Sequence, residues 1–269
     1  MEEILLSELR DKVAALCCSV AEAIRYAPFT VTEKTRPENI VTSSDIKSQR
    51  MLVRGLGEII PGSTFFCEEE GICDRGGEYV WIIDPIDGTT NFARGIEDCA
   101  ISVGLLHRGE IIVGVVKSIC REDCFTAVKG KGAELNGKPI RVSDRGFESG
   151  ILCTAMSLYK KEFAKICSDI IFEAYSECND VRRFGSAAME LCYLASGRCE
   201  LYFEIRVFPW DCAAGILILE EAGGMARGLQ DKPVDFSGPT VLIGANSEEN
   251  YRKLADIVNK HLHYTPYED

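Results

Sequence analysis

The sequence predicts a mixed α/β fold in two halves that share a cleft, and three observations carry that reading. A long amphipathic stretch opens the chain, short apolar runs with tight-turn signals fill residues 64 to about 143, and beyond residue 148 strand-like and helix-like segments alternate. With 269 residues the chain can bury a substantial core. No internal repeat or low-complexity linker separates the halves, so they are expected as subdomains, 1–148 and 149–269, and not as independent modules.

The elements follow in order. Ile4, Leu5, Leu9, Val13, Leu16, Val20 and Ile24 recur at helical spacing, which predicts a helix over 2–26. "TEKTRPENIVTSSD" (32–45) is polar and interrupted by a proline, as a mobile loop would be. Ser44 is placed to cap a helix over 45–60 that Pro61-Gly62 stops. "TFFC" and "YVWII" read as strands, and "AISVGLL" and "IIVGVVKSI" flank a short polar link as a hairpin. Asn136-Gly137 is a strong hairpin-turn signal. In the second half "GILCTA", "CELYFE" and "TVLIGAN" read as strands. Helices are expected at 159–177, from Ser186, from Asp211 to a stop at Gly223 or Gly224, and from a Ser247 cap to about 262.

Composition excludes several classes of function. Hydrophobic residues at 46% and charged residues at 27% are those of an ordinary globular chain, not a disordered one. No apolar run approaches the ~20 residues that span a bilayer, and "MEEILLSELRDK" does not read as a secretory leader. Thirteen cysteines is an odd number with no regular spacing, so reduced thiols in a cytoplasmic protein are expected. Cys120 and Cys124 lack a second cysteine pair or a nearby histidine to complete a zinc site; His107, His261 and His263 lie elsewhere. A net charge of -12 argues against nucleic acid or an anionic membrane as partner.

That acidity has a focus. "VWIIDPIDGTTNF" (80–92) ends an apolar run with Asp84 and Asp87, and two converging carboxylates repel unless a cation lies between them. Pro85 stiffens the link, and Gly88 allows a positive φ. Thr89 and Thr90 would then begin a short helix with free N–H groups for an anion. Hard oxygen donors of this kind suit magnesium. Glu68, Glu69 and Glu70 after "TFFC", and Asp211 at a helix start, are further acids beside strand ends. By itself a glutamate triplet is usually a solvated turn, and an aspartate there usually a cap. A calcium EF-hand counted from Asp84 fails because Ile86 and Thr89 stand where an Asp or Asn and a glycine are needed. The Asp-x-Asp-Gly-Thr pattern of the haloacid-dehalogenase phosphatases fails because Pro85 occupies the nucleophile position.

"FFCEEEG", "WIIDPIDGTTNF" and "PWDCAAGILILEEAGG" together resemble the signature blocks of the inositol monophosphatase family. The likeness runs through "EKTRPENIVTSSD", "LNGKPIRVS" and "RRFGSAAMELCYLASGRCELYFE" in the same order. The resemblance implies an α/β layered sandwich, the sugar-phosphatase fold of alternating helix and sheet layers. It also implies two or three magnesium ions at the junction of the halves, and a homodimer. The reaction implied is hydrolysis of a phosphomonoester by direct attack of a metal-activated water, with no phosphoenzyme.

Carried over residue by residue, it makes Glu68, Asp84, Asp87, Asp211 and the Ile86 carbonyl metal ligands. Thr89 paired with Asp45 becomes the group that orients the attacking water, with Glu68 beside them. Glu69 would line the site behind Glu68, Lys34 would be a mobile-loop lysine, and Glu70 receives no role. The substrate would meet Ile86, Asp87, Gly88, Thr89, Gly185, Ser186, Ala187, Glu204 and Asp211. Alone, Glu204 reads as an exposed acid and Arg182 and Arg183 as surface bases; only their register with the family raises them. The expected substrate is a small phosphorylated polyol, myo-inositol monophosphate first. Fructose bisphosphate, adenosine bisphosphate and histidinol phosphate are the alternatives on the same platform, and a catalytically silent scaffold is the non-enzyme one. The sequence departs from the pattern in a short segment before Asp84 and in Arg206, where a glycine is common.

Overall fold

The structure is a computed structural model that describes residues 3–36, 39–156 and 160–263. Helices α1 (Glu3–Arg25) and α2 (Ser43–Ile59) flank a two-stranded hairpin, β1 (Val31–Arg36) and β2 (Asn39–Thr42). Next come β3 (Thr64–Cys67), β4 (Tyr79–Asp87), the short α3 (Thr89–Arg94), β5 (Ala100–His107), β6 (Glu110–Ser118), β7 (Cys124–Val128), β8 (Gly132–Leu135) and β9 (Lys138–Ile140). These seven strands form one sheet in sequence order, antiparallel except for the parallel pair β3–β4. The second half supplies β10 (Ile151–Ala155), α4 (Ala164–Tyr175), β11 (Asp180–Arg182), α5 (Ala187–Ala195), β12 (Leu201–Val207), α6 (Pro209–Glu221), β13 (Met225–Arg227), β14 (Thr240–Ala245) and α7 (Glu248–His261). Its sheet has the order β11-β10-β12-β14-β13.

The layers run helix, sheet, helix, sheet, helix. α1 and α2 cover one face of the seven-stranded sheet, α5 and α6 lie between the sheets, and α4 and α7 cover the outer face of the second. Periodicity explains the assignment. α1 buries Leu9, Val13, Cys17, Val20 and Ile24 on a single stripe, as a surface helix does. α6, "PWDCAAGILILEE", is buried from Cys212 to Leu219 on every side, as a helix packed between two sheets must be. Its close seat depends on Gly104 and Gly114, paired across β5 and β6. A Cβ on Gly114 would stand 2.9 Å from the Ala214 carbonyl oxygen, and one on Gly104 would stand 3.4 Å from the Ala213 Cβ.

Several boundaries differ from expectation for local reasons. The polar stretch expected as a loop is the hairpin β1–β2, whose strands pair from Val31↔Thr42 to Arg36↔Asn39. α2 is capped by Thr42 and not by Ser44. The Thr42 side chain accepts from the Asp45 N–H while Asp45 accepts from the Thr42 N–H at 2.8 Å, a reciprocal cap. β4 does not stop at Ile83 but continues through both acids, with a register shift between Asp84 and Asp87. Pro85 is tolerated because it falls at that bulge. α6 begins two residues before Asp211, with Pro209 at its first position. The helix expected from 159 begins regularly at Ala164, and residues 157–159 lie outside the described set. The three-residue strands β11 and β13 are too short to show a period. Asn136 and Gly137 both have positive φ, at 51° and 74°, as the tight β8–β9 turn requires.

Candidate active site

Asp84, Asp87 and Asp211 converge so that one carboxylate oxygen of each lies within 4.8 Å of the others. Four elements bring them there: β4, α2, β5 and α6. Asp84 and Asp87 straddle the bulge of β4, and Ser48 of α2 donates to the Pro85 carbonyl at 2.9 Å, fixing the backbone between them. Opposite Asp84 in the ladder stands Ser102, whose hydroxyl donates to the Trp210 carbonyl at 3.0 Å and seats the first turn of α6 beside Asp211.

Each acid commits one oxygen to the protein. Asp84 Oδ1 accepts from the Ile86 N–H at 2.9 Å, and Asp211 Oδ2 from the Phe208 N–H at 3.0 Å. Asp87 Oδ2 accepts from the Ser186 hydroxyl at 2.6 Å and the Ala188 N–H at 2.7 Å, at the start of α5. Burial pushes Asp84 well above the ordinary carboxylate range, and the charges of Glu68, Asp87 and Asp211 add to it. Asp211 moves the same way through burial and then Asp87 and Glu68. Asp87 is pushed up to about 6 by burial, against the bonds from Ser186 and the Ala188, Ala187 and Gly88 amides. Oxygen donors alone, with no thiol or imidazole among them, fit a hard divalent cation.

Glu68 borders the same cleft but stands outside the tight trio, 3.2 Å from the Lys34 ammonium of β1. Burial raises the Glu68 pKa, and Lys34 opposes that rise. Glu69 also pairs with Lys34. Burial lowers the Lys34 pKa, but the two glutamates outweigh it and the net shift is upward. Gln49, which sequence reasoning missed, is buried and grips the Glu69 backbone from both sides, donating to its carbonyl at 2.7 Å and accepting from its N–H at 3.0 Å. Glu70 turns away and pairs with Arg50.

Thr89 Oγ1 stands 3.0 Å from both Asp45 Oδ1 and the Ile86 carbonyl oxygen. Its one hydrogen can serve either. Asp45 is fully buried; burial raises its pKa against the bonds from Thr42 and Thr89. Gly88 has φ +86°, and a Cβ there would meet the Asp98 carbonyl oxygen at 2.9 Å. No side chain fits this corner.

A cleft of about 710 Å³ opens over these groups, lined also by Gly185, Ser186, Ala187, Glu204 and Phe208. Ser186 reaches it through Asp87, to which its hydroxyl donates. Gly185 has φ +87°, and the turn before it is tied by Asn91, which donates to the Phe184 carbonyl at 2.7 Å. Glu204 accepts from the Tyr202 hydroxyl at 2.7 Å and is pushed up to about 7 by burial. Arg94, Arg183 and Arg206 also border it, with Arg206, the departure already marked in the sequence, stacked 4.6 Å from the Phe208 ring centre. Arg182 pairs outside with Asp180. Sequence reasoning also missed Glu190, a cleft residue on α5 that burial and the Glu204 charge push up to about 8. A glutamate inside the otherwise apolar "AAMELCYLA" was the available signal.

The sequence pattern of the inositol monophosphatase family matches residues 5–263. The chain belongs to that family. A Nus factor SuhB of Vibrio cholerae is 35% identical over 223 residues, covering 82% of this chain and 81% of its own length. Among solved structures, the extragenic suppressor protein suhB of Bartonella henselae superposes with a TM-score of 0.87 at 29% identity, over 95% of this chain and all of that one. The Thermotoga maritima IMPase does so at 0.85 and 31% identity, over 94% and 97%. This chain thus has the layered α/β architecture of the family's phosphatases, and no described helix is long and apolar enough to cross a membrane.

Proposed function

We propose that the protein is a magnesium-dependent phosphatase for a small phosphorylated polyol, myo-inositol monophosphate in the first place. The observation that carries this is the acid trio set beside the Thr89–Asp45 pair at the floor of one cleft. Asp84, Asp87 and Asp211 would hold the ions, with Glu68 and the Ile86 carbonyl completing the set. The chemistry magnesium supplies when bound is neutralisation of phosphate charge and acidification of water. With its hydrogen on Asp45, the Thr89 hydroxyl keeps lone pairs for a proton of the attacking water and fixes that water's direction. Asp45, whose buried carboxylate is already made more basic, takes the proton passed on. The Gly88 corner lets the substrate phosphate approach the backbone with no side chain between. Glu204 and Asp211 offer acceptors for ring hydroxyls.

Two further readings rest on specific observations. Arg94, Arg183 and Arg206 favour a second anionic group on the substrate, as in a bisphosphate. The name Nus factor borne by the Vibrio cholerae relative favours a binding role beside or in place of catalysis. A phosphate-release assay with inositol, fructose and adenosine phosphates, run with magnesium and with a chelator, separates the three. Magnesium-dependent release fastest from inositol monophosphate is the expected result. A tenfold preference for a bisphosphate in kcat/KM would replace the substrate, and no release from any ester would leave the binding role.

A further inference from the structure

The adjacent Cys17 and Cys18 of α1 go different ways, because neighbours on a helix stand about 100° apart. Cys17 joins the apolar stripe and is fully buried. Cys18 is partly exposed and lines a hollow of about 660 Å³ that shares no residue with the active-site cleft. Cys124, partly exposed at the start of β7, lines the same hollow. So does Lys117 of β6, which is the ladder partner of Cys124 and so projects to the same face of the sheet. The Lys117 ammonium is 7% exposed and is fixed there by donating to the Arg121 carbonyl at 2.7 Å.

The two thiols are hydrogen-bond partners, and the bond sets them apart chemically. With Cys124 as donor it holds the Cys18 pKa down to about 6; burial, Glu22 and Glu122 oppose this and Lys117 assists. The same bond, then burial, pushes Cys124 up. At neutral pH Cys18 thus supplies a thiolate while Cys124 keeps its proton. Packing does not require this, since a thiol that only fills space is usually shut away from water. Nor does a metal, because among the described residues only the three aspartates cluster closely enough to hold one. The other facing thiols are less accessible. Cys153 and Cys199, 3.1 Å apart, are at most 2% exposed, and Cys99, 3.8 Å from Cys120, is fully buried.

We propose that Cys18 and Cys124 form a redox-active dithiol, which a small hydroperoxide converts to a disulfide joining α1 to β7. The Cys18 sulfur attacks one peroxide oxygen, the O–O bond breaks, and the departing hydroxide takes a proton to leave as water. The Cys124 sulfur then attacks the resulting sulfenic acid at Cys18. The hydroxyl departs with the Cys124 proton as a second water. The two sulfurs lose two electrons and the peroxide gains them.

The test treats the reduced protein with hydrogen peroxide, alkylates the remaining thiols and maps the peptides by mass spectrometry. Cys18 should be found joined to Cys124 before any other cysteine is modified, and dithiothreitol should free both. Alkylation of Cys18 in the untreated protein should be half-maximal near pH 6, well below the range of an ordinary thiol. In Cys124→Ser the reaction should stop at a sulfenic acid that dimedone traps on Cys18. In Cys18→Ser, oxidation of Cys124 should slow by on the order of tenfold or more, since its own thiol remains protonated. The mapping on wild type does not depend on either variant folding. Earlier oxidation of the exposed Cys73 or of the buried pairs, or a Cys18 that is oxidised while Cys124 stays free, overturns the assignment. So does undiminished oxidation of Cys124 in Cys18→Ser.

Discussion

Asp87→Asn should make the metal-free protein more stable while abolishing its activity. Asp87 is 8% exposed, and folding moves its pKa from an ordinary 3.8 to about 6. Between those values the unfolded chain has released its proton and the folded chain has kept it, so stability falls as pH rises through that window. Above the folded value the penalty is complete, about 3 kcal/mol for a displacement of this size. Asparagine can still accept from Ser186 and Ala188 through its amide oxygen, while a neutral group faces Asp84 and Asp211. In chelator at pH 7.5 the variant should therefore melt roughly 5–10 °C above wild type. The gain should be about half as large at pH 5 and vanish below the unfolded pKa. Added magnesium should stabilise wild type by mass action and leave the variant nearly unchanged. Thermal melts at the two pH values, with chelator and with magnesium, measure all of this. A variant no more stable than wild type in chelator at pH 7.5, or equal stabilisation of both by magnesium, would refute the electrostatic account.

Thr89→Ala should cut kcat by roughly a hundredfold with KM within a fewfold, because the hydroxyl acts on the attacking water; steady-state kinetics showing a change in KM alone would reduce Thr89 to phosphate binding. Gly88→Ala places a Cβ 2.9 Å from the Asp98 carbonyl oxygen at φ +86°. Denaturant unfolding should show a loss of about 2–4 kcal/mol, and an unaffected midpoint would contradict the packing described. Arg206→Gly should barely alter inositol monophosphate turnover but cripple that of a bisphosphate, read from kcat/KM on each. Lithium should inhibit in competition with magnesium at the acid trio, and kinetics at varied magnesium test the competition.

Much of the architecture was legible because its signals are periodic. The α1 stripe, the β5–β6 hairpin and the Ser247 cap each follow from residues close together in the chain. Asp84 and Asp87 were legible as ligand candidates because two converging carboxylates after an apolar run are costly unless something positive joins them, whereas Asp211 read alone as a helix cap and joined them only through the family resemblance. What escaped is held by long-range bonds. The course of β4 through Asp87 depends on Ser48, some forty residues earlier, and the polar β1–β2 hairpin has no alternating pattern to announce it. Gln49 looks like any polar residue on a surface helix until its two bonds to the Glu69 backbone are seen. Arg206 was marked in the sequence, but its company with Arg94 and Arg183 along one cleft was not, because the three come from segments far apart in the chain and net charge gave no hint of it.

The paired glycines beneath α6 have a consequence for how such a cleft can change. Ala213 and Ala214 rest on Gly104 and Gly114, two to three residues past Asp211, so bare backbone sets the height at which that aspartate stands over Asp84 and Asp87. Any side chain added to this floor would lift the helix like a shim and pull the third acid out of reach. The rim is free of that constraint: Arg94 and Arg183 are exposed, and Arg206 is partly so. A lineage could therefore retune which ester enters by exchanging rim residues while the floor stays fixed, much as a lathe keeps its bed and changes its chuck.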